Sequence, residues 1–198
     1  MFLLASSSAY RLAQLKQLGI YPDCRAPEIN ETPYPNEAPQ ALAERLAAAK
    51  AQKVSNEITV NNYRFIIGSD QVAACDSQIM GKPLTDERAH AQLESCSGKQ
   101  VSFFTAVCLL DLNNDTGLSY CDHTIVNFRD LTEQEIHQYI SIESPLNCAG
   151  SFKCEGLGIS LFKSITTKDP SALIGLPLIG LNSLLLQAGY NSILQHQQ

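Results

Sequence analysis

The sequence has no tryptophan, two methionines and 7% aromatic residues, so its core has to be built mainly from aliphatic side chains. No apolar run approaches the roughly 20 residues that a bilayer-spanning helix needs, which argues against an integral membrane helix. Positive charge is also scarce: 14 Lys and Arg against 20 Asp and Glu leave a net charge of −6 with histidine neutral. Nucleic-acid binding draws much of its affinity from excess cationic charge, so that class is disfavoured. A small anionic ligand is not, because a pocket can gather a few cations locally. The seven cysteines (Cys24, Cys75, Cys96, Cys108, Cys121, Cys148 and Cys154) are odd in number and include no CxxC pair. That usage suits reduced thiols in a cytoplasmic protein. The four histidines (His90, His123, His137 and His196) show no metal-ligand spacing, and no zinc site is expected. The opening residues, MFLLASSSAYR, lack a basic segment and match a secretory signal poorly.

What is present suits an ordinary globular domain. The chain has 198 residues, 44% hydrophobic and 17% charged. A chain of this size buries about 70% of its unfolded surface and needs no disulfide or metal staple. No internal repeat interrupts it, and a single domain over 1–198 is expected.

The pattern mixes helices and strands. Phe2-Leu3-Leu4-Ala5 reads as a buried strand. Leu12, Leu15 and Leu18 follow a serine run and precede Gly19, which predicts a helix with a serine N-cap and a glycine stop. Residues 27–39 hold four prolines and three glutamates and read as a loop. A second helix is predicted from about Pro39 to Val54, with Leu42, Leu46 and Ala49 on its apolar side. Phe65-Ile66-Ile67 reads as a buried strand ending at Gly68-Ser69-Asp70, with a further strand or hairpin over 71–80. Thr85 caps a helix that stops near Gly98. Val101–Leu112 and Leu118–Phe128 form a hairpin about Asn113–Gly117. Thr132 and Glu135 make a capping box. Ile159–Phe162 reads as a strand, and a last helix runs from near Pro177 to before Gly189. The class is α/β with a mixed sheet.

Four stretches could carry chemistry. Ser6-Ser7-Ser8-Ala9-Tyr10-Arg11 places hydroxyls, free N–H groups and a guanidinium at a helix start: a phosphate cradle, or a plain cap beside a solvated arginine. The loop bearing Glu28, Glu31 and Glu37, ahead of Arg45 and Lys50, could hold a divalent cation or simply face water. Asp70 after an apolar strand suits general-base or metal work, or caps its own turn. Lys82 between Gly81 and Pro83 is a cation on a stiff loop. In the run 147–156, small residues permit close backbone approach, and Glu155 is either a specificity carboxylate or a surface charge.

Taken in order, LASSSAYR, NETP, LAAAKAQ, IIGSDQV, GKPLT, CAGSFKCEGLG and GLPL resemble the Maf family over about residues 3–188. The resemblance implies an elongated mixed sheet flanked by helices, with two lobes and a central cleft. It implies a nucleoside triphosphate pyrophosphatase, closest to the branch acting on 7-methyl-GTP. The alternatives are another nucleotide such as dTTP or UTP, or a non-catalytic regulator of cell division. Phosphate-facing roles fall on Ser6, Arg11, Lys50 and Lys82. Acidic roles fall on Glu31 and Asp70, with Asp70 as the catalytic proton acceptor and both as ligands of Mg²⁺ or Mn²⁺. Lys82 and Glu31 join Asp70 in catalysis. Branch-distinguishing positions are Tyr10, Gln71 and Glu155; the 7-methyl-GTP branch has Trp, Gln and Glu there. Asn30 and Ala9 depart from the usual Asp and Pro. A nucleoside triphosphate is the expected partner, and members of the family often form homodimers.

Overall fold

The computed structural model describes residues 1–59 and 62–195. His196 therefore lies outside the described residues. The chain is α/β: among the described residues, a mixed sheet of seven strands is flanked by six α-helices. The strands are β1 (Phe2–Ala5), β2 (Asp23–Cys24), β3 (Phe65–Cys75), β4 (Gln78–Met80), β5 (Gln100–Asp111), β6 (Thr116–Phe128) and β7 (Phe162–Thr166). The helices are α1 (Ala9–Gln17), α2 (Pro39–Glu57), α3 (Asp86–Cys96), α4 (Glu133–Glu143), α5 (Leu178–Gln187) and α6 (Ser192–Gln195). Strand order is β2-β1-β3-β5-β6-β7, with β4 also paired to β3. β1 runs parallel to β2 and β3, whereas β3–β4 and β6–β7 are antiparallel.

The residues divide into two compact units. The first comprises Met1–Asp70, Thr105–Asp122 and Asp169–Gln198; the second comprises Gln71–Phe104 and His123–Lys168. The first unit's core is aliphatic, as the lack of tryptophan requires: Leu4, Leu15, Ile67, Leu109, Leu176 and Leu181 are among its buried members. The second unit packs its few aromatics together. Phe152 meets Phe103, Phe128 and Phe162 edge-on, with ring centroids 4.9–6.0 Å apart.

Local sequence signals govern most element ends. Ser8 caps α1, Thr85 caps α3, and Thr132 with Glu135 forms the expected reciprocal box on α4. The chain leaves α1 through Gly19 at φ 67°, a conformation glycine takes at no steric cost. Three expectations need correction. Gly68-Ser69-Asp70 does not end its strand, because β3 continues to Cys75 before turning through Asp76 and Ser77 into β4. Ile159–Leu161 coils into a 3₁₀ turn, and the strand begins at Phe162. On α2 the buried face is Leu42, Ala43, Leu46, Ala47, Lys50, Ala51 and Val54, with Ala49 only half-buried.

The contact between α2 and β3 explains the first correction. A Cβ on Gly68 would lie 2.2 Å from the Ala47 carbonyl oxygen and 2.7 Å from the Ala51 nitrogen. Glycine here opposes a stripe of alanines, and the helix backbone rests directly on the strand. Gly68→Ala therefore drives a methyl group into main chain that has no rotamer to relax. Overpacking of this kind costs about 1–3 kcal/mol. We predict a lower urea midpoint at unchanged m-value for Gly68→Ala; a midpoint equal to wild type would refute the contact.

Candidate active site

The same approach of α2 to β3 assembles a charged cluster. Alternate residues of a strand point to one face, so Asp70 shares the α2-facing side with Gly68. Lys50 lies on the buried face of α2, beside Ala47 and Ala51. Its Nζ meets Asp70 Oδ1 at 2.6 Å and Glu31 Oε1 at 2.6 Å. Lys50 and Asp70 are buried, while the Glu31 side chain is 49% exposed. One ammonium thus faces two carboxylates, and the trio keeps one excess negative charge.

Arg11 adds a second cation. β1 ends at Ala5, in register with Gly68, so the residues that follow Ala5 emerge beside Ser69 and Asp70 of β3. Ser6 Oγ accepts from the Ser8 N–H at 3.1 Å and from Arg11 Nη1 at 3.4 Å. Arg11 Nε donates to the Gly175 carbonyl at 2.9 Å, and Ser69 Oγ donates to the same oxygen at 3.1 Å. Gly175 can present that oxygen because it sits at φ 131°. Gln14 holds the same turn by donating to the carbonyls of Ser171 and Leu176 at 2.7 and 3.1 Å. Arg11 is consequently a fixed guanidinium and not a solvated one; Ser8 alone acts as the cap.

These surroundings tune the ionisable groups. Burial pushes the Asp70 carboxyl above the ordinary aspartate value. The Lys50 charge and hydrogen bond, and Arg11 beside it, pull the other way, while Glu31 adds to the rise. Burial lowers the Arg11 pKa, opposed by the charges of Asp70 and Glu31.

Glu31 sits on a loop without regular structure, yet that loop is fastened. Arg45 Nε and Nη2 donate to the two oxygens of Glu37 at 2.6 and 2.8 Å, a bidentate pair. Arg45 also donates to the Thr32 carbonyl and lies 4.1 Å over the Tyr34 ring. Asn30 closes the Asx turn that leads through Glu31, its Oδ1 accepting from the Thr32 N–H at 2.9 Å. Sequence reading named Glu37 and Arg45 but missed that they form a clasp. A carboxylate and a guanidinium flanking a proline-rich loop are a weak signal, since the pair spans a loop–helix junction and not a helical repeat.

Tyr10 is 43% exposed at the first turn of α1. In the second unit, Gln71 follows Asp70 along β3 and is half-buried, and Lys82 is exposed. The loop carrying Lys82 is positioned by α3: Gln92 Nε2 donates to the Gly81 carbonyl at 3.1 Å, and Ser151 Oγ donates to Gln92 Oε1. The Leu84 N–H bonds the Leu146 carbonyl at 3.1 Å. Glu155 is exposed and accepts from the Cys154 thiol at 3.5 Å. Lys82 and Glu155 both act on Cys148, whose pKa burial raises; Lys82 opposes that rise and Glu155 adds to it. The segment 153–157 is fixed by Glu143, whose Oε1 accepts from the Leu157 N–H at 2.6 Å and whose carbonyl accepts from Lys153 Nζ.

The Maf-like protein family matches residues 1–188. The chain belongs to the Maf family. A relative from Saccharophagus degradans is 50% identical over 191 residues, covering 96% of this chain and 95% of its own. One from Xanthomonas oryzae pv. oryzae is 50% identical over 189 residues, covering 96% and 97%. One from Colwellia psychrerythraea is 44% identical over 195 residues, covering 98% and 96%. All three carry the name 7-methyl-GTP pyrophosphatase. No helix among the described residues of this Maf protein is long and apolar enough to cross a membrane.

The sequence spacing of the histidines shows no grouping, yet the fold brings one donor atom each from His90, Glu133 and His137 to within 4.8 Å of one another.

The clasp yields a prediction with a defined pH sign. The Arg45 hydrogen bonds hold Glu37 down to about 2. A depressed carboxylate stabilises the fold above its unfolded value of about 4.5 and loses that contribution as pH falls through about 2. At neutral pH the clasp is fully formed. Arg45→Ala should therefore speed amide exchange across residues 28–37 at pH 7. Unchanged exchange in that loop would show that the clasp does not order it.

Proposed function

We propose that this Maf protein hydrolyses a nucleoside triphosphate, 7-methyl-GTP foremost, at the α-phosphate to give the monophosphate and pyrophosphate. The observation that carries the reading is the Glu31–Lys50–Asp70 trio beside Arg11 and Ser6. It joins a basic carboxylate to fixed cations at the motifs that carry the resemblance to the Maf family. Their names supply the substrate class.

In this reading water attacks the α-phosphorus while Asp70 accepts its proton. The bond from the α-phosphorus to the bridging oxygen breaks, and pyrophosphate leaves with the bonding electrons. A raised carboxyl pKa makes Asp70 a stronger base than a solvated aspartate. Arg11, Lys50 and Lys82 meet the charge of the polyphosphate, and Ser6 offers a hydroxyl to it. Glu31 shares Lys50 with Asp70 and so adjusts how firmly the ammonium holds the base.

Two carboxylates within reach of one ammonium form a hard-oxygen donor set, which fits Mg²⁺ or Mn²⁺ and not a thiophilic metal. Glu31 and Asp70 would hold that cation, which, when bound, supplies charge neutralisation on the phosphates. For the base, an aromatic face at Tyr10 gains a cation–π contribution of roughly 0.5–2 kcal/mol from a ring made cationic by N7 methylation. Glu155 can accept the guanine N1–H and N2–H together, and Gln71 is the third discriminating position. The protein acts in the cytoplasm as one Maf domain over 1–198, and we assign it a homodimer on family grounds.

Pyrophosphate release should be measured on 7-methyl-GTP, GTP, UTP and dTTP with Mg²⁺ present. The highest kcat/KM is expected for 7-methyl-GTP, and exhaustive chelation should abolish turnover. The acid limb of kcat/KM should lie above the ordinary carboxylate value of about 4, because only the ionised form of Asp70 accepts a proton. Asp70→Asn should lower kcat about 10²–10⁴-fold and erase that limb with the fold intact. Wild-type turnover in a folded Asp70→Asn protein would exclude the assignment.

A further inference from the structure

The second unit contains a set of donors that the pyrophosphatase reading does not use. α3 and α4 pack against each other, burying Ala89 and Leu93 from one and Ile136, Tyr139 and Ile140 from the other. Beside this seam His90, next to Ala89, meets His137, next to Ile136. The two imidazole rings lie 4.6 Å apart between centroids at 42°. Glu133, one helical turn before His137, brings Oε1 to 3.8 Å from His137 Nε2. One donor atom from each of the three residues falls within 4.8 Å of the others.

A second observation is independent of that clustering. The Nε2 of His90 is buried and has no hydrogen-bond partner among the described residues. A buried polar atom without a partner is unfavourable, so such atoms call for an explanation. The tilted ring contact with His137 leaves this Nε2 unaddressed. A coordinated cation satisfies the nitrogen directly.

We propose that His90, Glu133 and His137 bind a first-row transition-metal dication, with Zn²⁺ as the natural occupant, stapling α3 to α4. Two imidazoles and one carboxylate suit Zn²⁺, whereas Mg²⁺ takes oxygen ligands. Zinc bonds of about 2.0–2.2 Å require donors closer together than 4.8 Å. The adjustment falls on Glu133 and His137, whose side chains are 81% and 67% exposed and can rotate toward the more buried His90. Three protein ligands leave the fourth tetrahedral position to water. The site shares no residue with the Glu31–Lys50–Asp70 trio, so its cation is separate from the one the proposed hydrolysis uses.

The test is a Zn²⁺ titration of the full chain by calorimetry, in phosphine reductant with excess Mg²⁺ to occupy hard-oxygen sites. Wild type, His137→Gln and His90→Gln are compared. His137→Gln alters an exposed side chain and keeps the fold; His90→Gln is checked by circular dichroism. All seven cysteines remain in every protein, so zinc held by thiols contributes equally. One equivalent should bind the wild type, and both variants should weaken it about tenfold or more. Ring ¹⁵N resonances of His90 and His137 should shift together on adding Zn²⁺ to wild type. Equal affinity in wild type and His137→Gln, or a shift in neither ring, would overturn the site.

Discussion

A single ammonium group between two carboxylates organises the first unit. Lys50 is buried, and an isolated buried charge would be strongly unfavourable. Asp70 and Glu31, each 2.6 Å away, make its burial tolerable. The dependence is mutual. Asp70 is buried as well, and without Lys50 its carboxyl would be driven further toward the neutral form. The pair therefore keeps a carboxylate desolvated yet ionisable, which is the state a proton acceptor requires.

That interaction depends on main-chain contact. Lys50 reaches Asp70 because α2 rests on β3 with only a glycine between, and because Gly68 and Asp70 share one strand face. The parallel register of β1 with β3 then delivers Ser6 to the same end of the sheet. Arg11 follows one helical turn later, fixed by Gly175. Strand register, a missing side chain and two long cationic side chains are enough to place five polar groups of the first unit.

Elements with strong local chemistry were legible in the sequence. Ser8, Thr85 and the Thr132–Glu135 box are caps whose geometry spans three residues, and each appears in the structure. Gly68-Ser69-Asp70 misled because each residue type favours turns, whereas tertiary packing selected them: Gly68 for the helix contact, Ser69 for Gly175, Asp70 for Lys50. Ile159–Leu161 misled because a short apolar run fits a strand or a coil equally. Gly158 there lies against the Lys153 carbonyl too closely for any Cβ. The motif order pointed to Glu31, Lys50 and Asp70 without revealing that they meet. The Arg45–Glu37 clasp and the approach of His90 on α3 to Glu133 and His137 on α4 were hidden because the partners come from different elements, and single-sequence periodicity reports only on one element at a time.

The account stands on Lys50 holding the Asp70 charge, and one titration addresses it. The Asp70 side-chain carboxyl can be followed by ¹³C NMR against pH in wild type and in Lys50→Met. Lys50 lowers the Asp70 pKa through both its charge and its hydrogen bond, so removing it should raise that pKa clearly above the wild-type value. A pKa unchanged or lowered in folded Lys50→Met would contradict the account.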